Sequence, residues 1–449
     1  MAGRLLQLAL IGPLALHALL GSGCAFQGHR KELEKLHALG EYEEAAYLLD
    51  DPEIQSLYGE NNRVLWELDR GAVALALDNQ DKAIAELEAA EIEIDRRFEQ
   101  STGDVIAQWA LNDTAAAYMP GAYEDIYVNV LKLLAQLEAG RIDGYATVEA
   151  RRAATKANRL RDRYLGVREE LGNDTRIADA EGSIPSMARV NEEGEFIEST
   201  LGTYLTAVTF MESGDYELQG VAGRRLLESI DLQSGLIGWI DPEPFQDLGY
   251  RRPETSDVLI VALSGRGPVR EAERIGPILL YTVPVYMELP VLVSQPSEVE
   301  SAHVEIEGLG MRPLDLVEDL AAVAEENHRR QLPMIYTRTF VRASAKAAAS
   351  AVTTGALRGA SDGADKGWVT LAAVLGGLIF VTITEEADLR SWVFLPGQAH
   401  VTLLDLEPGV HRVRVVYKDR RGGIVYTSPW RTVHASDSGL DTVVEHYWR

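Results

Sequence analysis

A chain of 449 residues with a single cysteine, Cys24, cannot close a disulfide within itself. Burial and polar pairing must hold it together instead. Histidine is also scarce. The nine present are scattered, with no HExxH and no pair at metal-ligand spacing, so neither a metal nor any other cofactor is expected. There is no GxSxG, no P-loop and no Rossmann glycine fingerprint, which removes the common signatures of serine hydrolases, nucleotidases and dehydrogenases. Gly265-Arg266-Gly267 follows a strand-like run, but Pro268 comes next and no helix opens there, so a turn is expected rather than a phosphate cradle. Positive charge is in deficit: 43 Lys and Arg against 69 Asp and Glu give a net charge of −26, which argues against nucleic acid or an anionic surface as partner. The 46% apolar and 25% charged content is that of a folded protein, and the length suggests two to four domains.

Two long stretches carry no charge. Leu5 to Leu20 is rich in Leu and Ala, preceded by Arg4 and followed by the small residues Gly21-Ser22-Gly23 before Cys24. That is the pattern of a secretory signal, too short for a membrane span. The small residues before Cys24 resemble the lipobox of bacterial lipoproteins, with Gly21 where Leu is commoner. The resemblance implies removal of residues 1–23, acylation of Cys24 and a lipid-anchored chain with no free thiol. Ala25 in place of Asp implies, by the enterobacterial sorting rule, an outer-membrane anchor facing the periplasm rather than the inner membrane. The second stretch, Trp368 to Thr384, is seventeen residues long and contains Gly376-Gly377. It is at the short end for a span. A buried helix or hairpin is the favoured reading, with membrane insertion as the alternative.

Residues 30–90 show helical periodicity, with Ala45, Leu48 and Leu49, then Val64, Leu65, Leu68, Ala72 and Leu75 at three- and four-residue steps. Gly71, Ala83, Leu87 and Ala90, and before them Gly40, Tyr42, Ala45 and Leu49, resemble the signature positions of tetratricopeptide repeats. Two more helix–turn–helix units are expected over 131–153 and 204–230, turning at Gly140 and Gly214, with 166–200 as a loop or linker. The expected fold class is α+β: a tetratricopeptide-like helical array, then antiparallel β-strands with an Ala/Gly-rich helical insertion. The boundaries are a signal peptide at 1–23, a helical domain at 24–235, a β-strand region at 236–312, a helical segment with the apolar run at 313–385, and a C-terminal β-domain at 386–449. Within these, 257–263, 278–283 and 302–307 read as strands. Leu314 to Glu326 reads as an amphipathic helix, Met334 to Leu357 as a second helix, and Trp392 to Leu395 as a strand.

The densest cluster of chemistry lies between Asn112 and Asn129. With Pro120 near a helix start, Asp125 and Asn129 share one face, as do Tyr123 and Tyr127. Arg151 and Arg152, with Glu149, fall on the return helix within reach of these carboxylates. Tyr118, Tyr123, Glu124, Asp125, Asn129, Arg151 and Arg152 are therefore candidate partner-binding residues for a groove that grips an extended peptide or glycan. The competing expectation, which is favoured, is that tyrosines fill helix crossings while Glu124 or Asp125 pairs with Arg151 or Arg152. The stretch NDxxxxYxPGxYED, together with Val148 to Arg152, Leu316 to Leu320 and Ala387 to Pro396, resembles an uncharacterised family of bacterial lipoproteins with tetratricopeptide-like repeats. That resemblance implies work at the cell envelope, near peptidoglycan assembly, with no catalytic residue.

The leading functional expectation is accordingly a non-catalytic scaffold that binds an envelope protein or peptide. The runner-up is a component of a membrane-inserted secretion or export assembly that uses 368–384. A cell-wall hydrolase working through Glu124, Asp125 or Glu149 has only its carboxylates in its favour.

Overall fold

The computed structural model describes residues 25–100, 117–173, 197–251, 257–280, 283–330, 387–436 and 439–449. The expected signal peptide, Cys24, the 112–116 part of the dense cluster, the helix expected from Met334 and the 368–384 run lie outside these residues. So does most of the expected loop or linker, residues 174–196.

The first half is helical: α1 (25–39), α2 (Tyr42–Leu49), α3 (Pro52–Tyr58), α4 (Arg63–Ala76), α5 (Gln80–Gln100), α6 (Ala122–Glu138), α7 (Thr147–Asn173), α8 (Thr200–Glu212) and α9 (Tyr216–Ile237). Helices neighbouring in sequence pack as pairs, α4 on α5, α6 on α7 and α8 on α9, while α5 meets α6 and α7 meets α8. One turn recurs four times. The amides of Gly40, Asp78, Gly140 and Gly214 bond the carbonyls of His37, Leu75, Leu137 and Met211, and the next amide bonds one residue further back. This is a left-handed helix stop that satisfies the last carbonyls. Three of the four residues are glycine; Asp78, at φ 54°, is the one non-glycine with positive φ among the described residues. Helix α7 runs on through Asn173, so the linker expected from residue 166 does not begin there.

Gly71 explains how closely α4 and α5 approach. A Cβ at that position would lie 2.6 Å from Cγ of Leu87, and Ala83, Leu87 and Ala90 are all fully buried along the same seam.

The strands are β1 (Asp257–Arg266), β2 (Val269–Leu280), β3 (Val283–Val293), β4 (Ser301–Ile306), β5 (Gly310–Pro313), β6 (Asp315–Asp319), β7 (Pro396–Asp405), β8 (Gly409–Lys418), β9 (Ile424–Thr427), β10 (Arg431–Ala435) and β11 (Asp441–Tyr447). One sheet has the order β11-β1-β7-β6; a second has β10-β8-β4-β5, with β9 also on β8; β2 and β3 form a separate two-stranded ribbon. Strand β1 alternates between two cores. Val258, Ile260 and Ala262 meet Val304, Val415 and Tyr417 of the second sheet, whereas Leu259, Val261 and Leu263 belong to the core shared with the helices. The uninterrupted apolar run at 257–263 is that of a strand buried on both faces, and the molecule is layered as helices, sheet, sheet.

The α+β class stands, with several corrections. The pairing is not wholly antiparallel: β1 and β11 run parallel, Val258 opposite Asp441 through Ser264 opposite Tyr447. Strands after residue 386 do not form a domain of their own, since they share both sheets with β1, β4, β5 and β6. The amphipathic helix expected from Leu314 starts only at residue 320, as α10 (320–330), because Asp315–Asp319 pairs with β7 across a bulge at Leu316/Glu318. Trp392 to Leu395 is a buried irregular connection, not a strand.

Candidate functional site

Helix α6 opens at Gly121, and Glu124 sits three residues in, where a carboxylate faces the free amides of the first turn. Its Oε2 accepts from the Gly121 amide at 2.6 Å and from Arg270 Nη2 at 2.7 Å. Its Oε1 accepts from the Tyr118 hydroxyl and the Trp392 amide, both at 2.7 Å. Glu124 is fully buried. Four donors from the α5–α6 connection, the β2–β3 ribbon and the 387–395 connection thus converge on one carboxylate. Arg270 also donates to the Arg390 carbonyl, at 2.5 Å. Burial alone would lower the Arg270 pKa, but Glu124 beside it raises it above the ordinary value. Tyr118 and Tyr123 are pushed up, first by burial and then by the Glu124 charge.

Asp125 and Asn129 do share a face, and that face is inward. Asp125 pairs with Lys156 at 2.8 Å, Lys156 with Glu91 at 3.0 Å, and Glu91 with Lys132 at 2.8 Å. Lys132 continues to Glu149 at 3.2 Å and also touches Glu88. Asn129 donates to Glu91 at 2.8 Å and to Glu149 at 3.3 Å. Arg152 closes the outer end on Glu149 and Glu88, at 2.9 and 3.0 Å. The result is a ladder of alternating charge between α5, α6 and α7. Burial alone would raise the Glu91 pKa, yet Lys156 and Lys132 bring it down to about 2.

The seven sequence candidates therefore separate. Tyr118, Tyr123, Glu124, Asp125 and Asn129 are buried, whereas Arg151 and Arg152 are exposed. Neither arginine reaches Glu124 or Asp125, whose cations are Arg270 and Lys156. Arg151 instead pairs with Asp215, at 2.9 Å, at the start of α9. Sequence spacing missed Glu91, Lys132, Lys156 and Arg270. Lys132 follows Asn129 by three residues on α6 itself, and Glu91 and Lys156 face that side from α5 and α7, but Arg270, 146 residues from Glu124, had no local signal. Glu124, Asp125 and Glu149 are all committed to cations and none presents an open carboxylate pair. Among the described residues no group of three potential ligands is placed to hold a metal.

An accessible apolar groove lies on the other side of α6 and α7. It has a volume of about 310 Å³ and runs between α6, α7, α8 and α9. Ile126, Val130, Ala153, Ala154, Ala157, Phe210, Leu218, Val221 and Ala222 give it an apolar floor, and Arg151, Arg225 and Glu198 stand among its lining. It exists because small residues let the helices approach at its edges: a Cβ on Gly202 would come within 2.9 Å of Val130. Glu198 is held by Arg225 at 2.5 Å and by Arg161. The arrangement can receive an apolar side chain with a polar group beside it. No protein-family model, curated protein or solved structure matches this chain.

Proposed function

We propose that this protein is a lipid-anchored lipoprotein of the bacterial cell envelope that binds a protein or peptide without catalysis. It is held by acylated Cys24 at the periplasmic face of the outer membrane. The observation that carries the binding role is the apolar groove between α6, α7, α8 and α9, an accessible concave surface beside a cluster whose own charges are internally satisfied. The paired helices, their shared left-handed stops and the Gly71–Leu87 seam support a tetratricopeptide-like array, an architecture that presents grooves of this kind. The signal pattern ending at Cys24 supports export and anchoring.

The groove is tested by plugging it. Photo-crosslinking from Val221 in intact envelopes should trap a defined partner, and Thr203→Trp should abolish that product while the protein remains folded. A product unchanged by the plug would remove the groove from the account. Intact mass of the mature protein checks the anchor: it should begin at Cys24 and carry acyl chains.

A further inference from the structure

Helices α7 and α9 flank the groove and run in the same direction, and charged rungs bridge them at two levels. At the first, Arg151 pairs with Asp215, the N-cap of α9, at 2.9 Å. Ten positions further along each helix, Arg161 and Arg225 close on one carboxylate, the buried Glu198. Ten residues of α-helix extend about 15 Å. The apolar groove occupies the space between the two rungs.

The rungs differ in sign. At the Glu198 rung two guanidinium groups face one carboxylate, a positive surplus in a chain whose net charge is −26. At the Arg151 rung the balance is reversed. A second, open pocket adjoins the groove there, shares Arg151 with it, and is lined by Asp143, Asp215 and Glu217. Between the rungs the polar groups are already engaged. The hydroxyls of Thr155, Thr203 and Thr206 donate to the carbonyls four residues behind them, at 2.8, 2.8 and 2.7 Å. An apolar side chain laid over them therefore strands no donor.

We propose that the groove selects an extended peptide segment with a cationic residue at one end, apolar residues at alternate positions and an acidic residue at the other end. The cation lies over Asp143, Asp215 and Glu217, and the acid lies at Arg161 and Arg225. Resting on the groove as the binding surface, this names the chemistry of what the groove takes. An extended chain advances about 3.3 Å per residue, so about five residues cover the distance between the rungs. Alternate side chains point to the same face. The second and fourth thus lie on the apolar floor, while the first and fifth stay at the rim, where Arg151, Arg161 and Glu217 are exposed. An acyl chain with an acidic head brings one charge and would use one rung alone.

The test compares two capped peptides, Lys-Leu-Ala-Leu-Glu and Gln-Leu-Ala-Leu-Gln, binding to the full chain, read by fluorescence anisotropy of a dye on the peptide. Both are neutral overall, so the net charge of the protein treats them alike. The Lys/Glu peptide should bind about tenfold tighter, about threefold from each exposed ion pair. Arg161→Gln, which leaves Glu198 its Arg225 partner, should remove about threefold of that advantage and leave a Lys-Leu-Ala-Leu-Gln peptide unaffected. Glu217→Gln should weaken only the peptides that carry Lys. Thr203→Trp should abolish binding of all of them; the two rim variants carry the test if the plugged protein does not fold. Equal affinity for the Lys/Glu and Gln/Gln peptides, lost in Thr203→Trp, overturns the charge selection and keeps the groove as a binding surface. Absence of binding by either peptide, or binding that survives the plug, overturns both. Decanoate bound in a plug-sensitive way while neither peptide binds would assign the groove to an acyl chain instead.

Discussion

Glu124 and Arg270, 146 residues apart in the chain, close a 2.7 Å ion pair in the interior that ties the first turn of α6 to the base of the β2–β3 ribbon. Removing one member of such a pair strands the other charge where water cannot reach it. Glu124→Ala should therefore cost about 3–5 kcal/mol in chemical denaturation. Arg270→Met, which leaves Glu124 its three other donors, should cost less. Equal losses from the two would contradict a carboxylate held by several elements at once.

Glu318 offers a pH signature. It is fully buried, accepts from the Ser199 hydroxyl at 2.7 Å and the Leu201 amide at 2.8 Å, and pairs with no cation among the described residues. Burial pushes its pKa from 4.5 up to about 7, against the opposing pull of those hydrogen bonds. Because the folded state holds the proton more tightly, its stabilising contribution is full below pH 4.5 and is lost as pH rises through 7. Glu318→Gln should flatten that decline, with a relative gain on the order of 3 kcal/mol at pH 8. Thermal melts of both proteins from pH 5 to 8 would show it, and parallel curves would refute it.

Glu91 should act in the opposite sense. Its pKa is held near 2, so its contribution is present above 4.5 and lost as pH falls toward 2. Glu91→Gln should lower stability at pH 7, and the gap to the wild type should narrow in acid. Denaturant midpoints at pH 7 and pH 3 provide the comparison.

At the α4–α5 seam, Gly71→Ala puts a methyl 2.6 Å from Leu87. Overpacking of that kind should cost about 1–3 kcal/mol. The double substitution with Leu87→Ala should cost less than the sum of the two single changes, since the cavity accepts the added methyl.

Among the described residues Asp78 occupies the one left-handed helix stop of this kind not filled by glycine. Asp78→Gly should raise stability by about 1 kcal/mol, reduced by the loss of its surface pair with Arg431 at 2.7 Å. Asp78→Ala, which keeps the strain and loses the pair, should lower it.

What was legible in the sequence was what short-range pattern encodes. The helix stops at Gly40, Gly140 and Gly214 announce themselves by glycine, and the tight seam by Gly71 with Ala83, Leu87 and Ala90. The stop at Asp78 was hidden because its residue does not advertise the conformation. Leu314, Val317, Leu320, Ala321 and Ala324 have helical spacing, yet the first part is a strand because β7 offers it a hydrogen-bonded edge, and a bulge turns both Val317 and Glu318 inward. Likewise, the tyrosine and carboxylate cluster was visible as a cluster, but its partners Arg270, Lys156 and Trp392 come from elements that spacing along one helix cannot reach. The groove between α6 and α9 left no motif because its lining is gathered a few residues at a time from four helices, alanines and threonines among larger apolar side chains.

The parallel pairing of β1 with β11 has a consequence for how the molecule is made. The innermost strand, at 257–266, lacks one neighbour until residues 441–447 exist, and α1 waits for Trp448 and Arg449 to complete its packing. Helix α1 and β1 thus lock only once a segment about two hundred or more residues further on has been made, which favours slow, late closure. Deleting residues 441–449 should therefore strip a neighbour from a buried strand and a cover from α1 at one stroke.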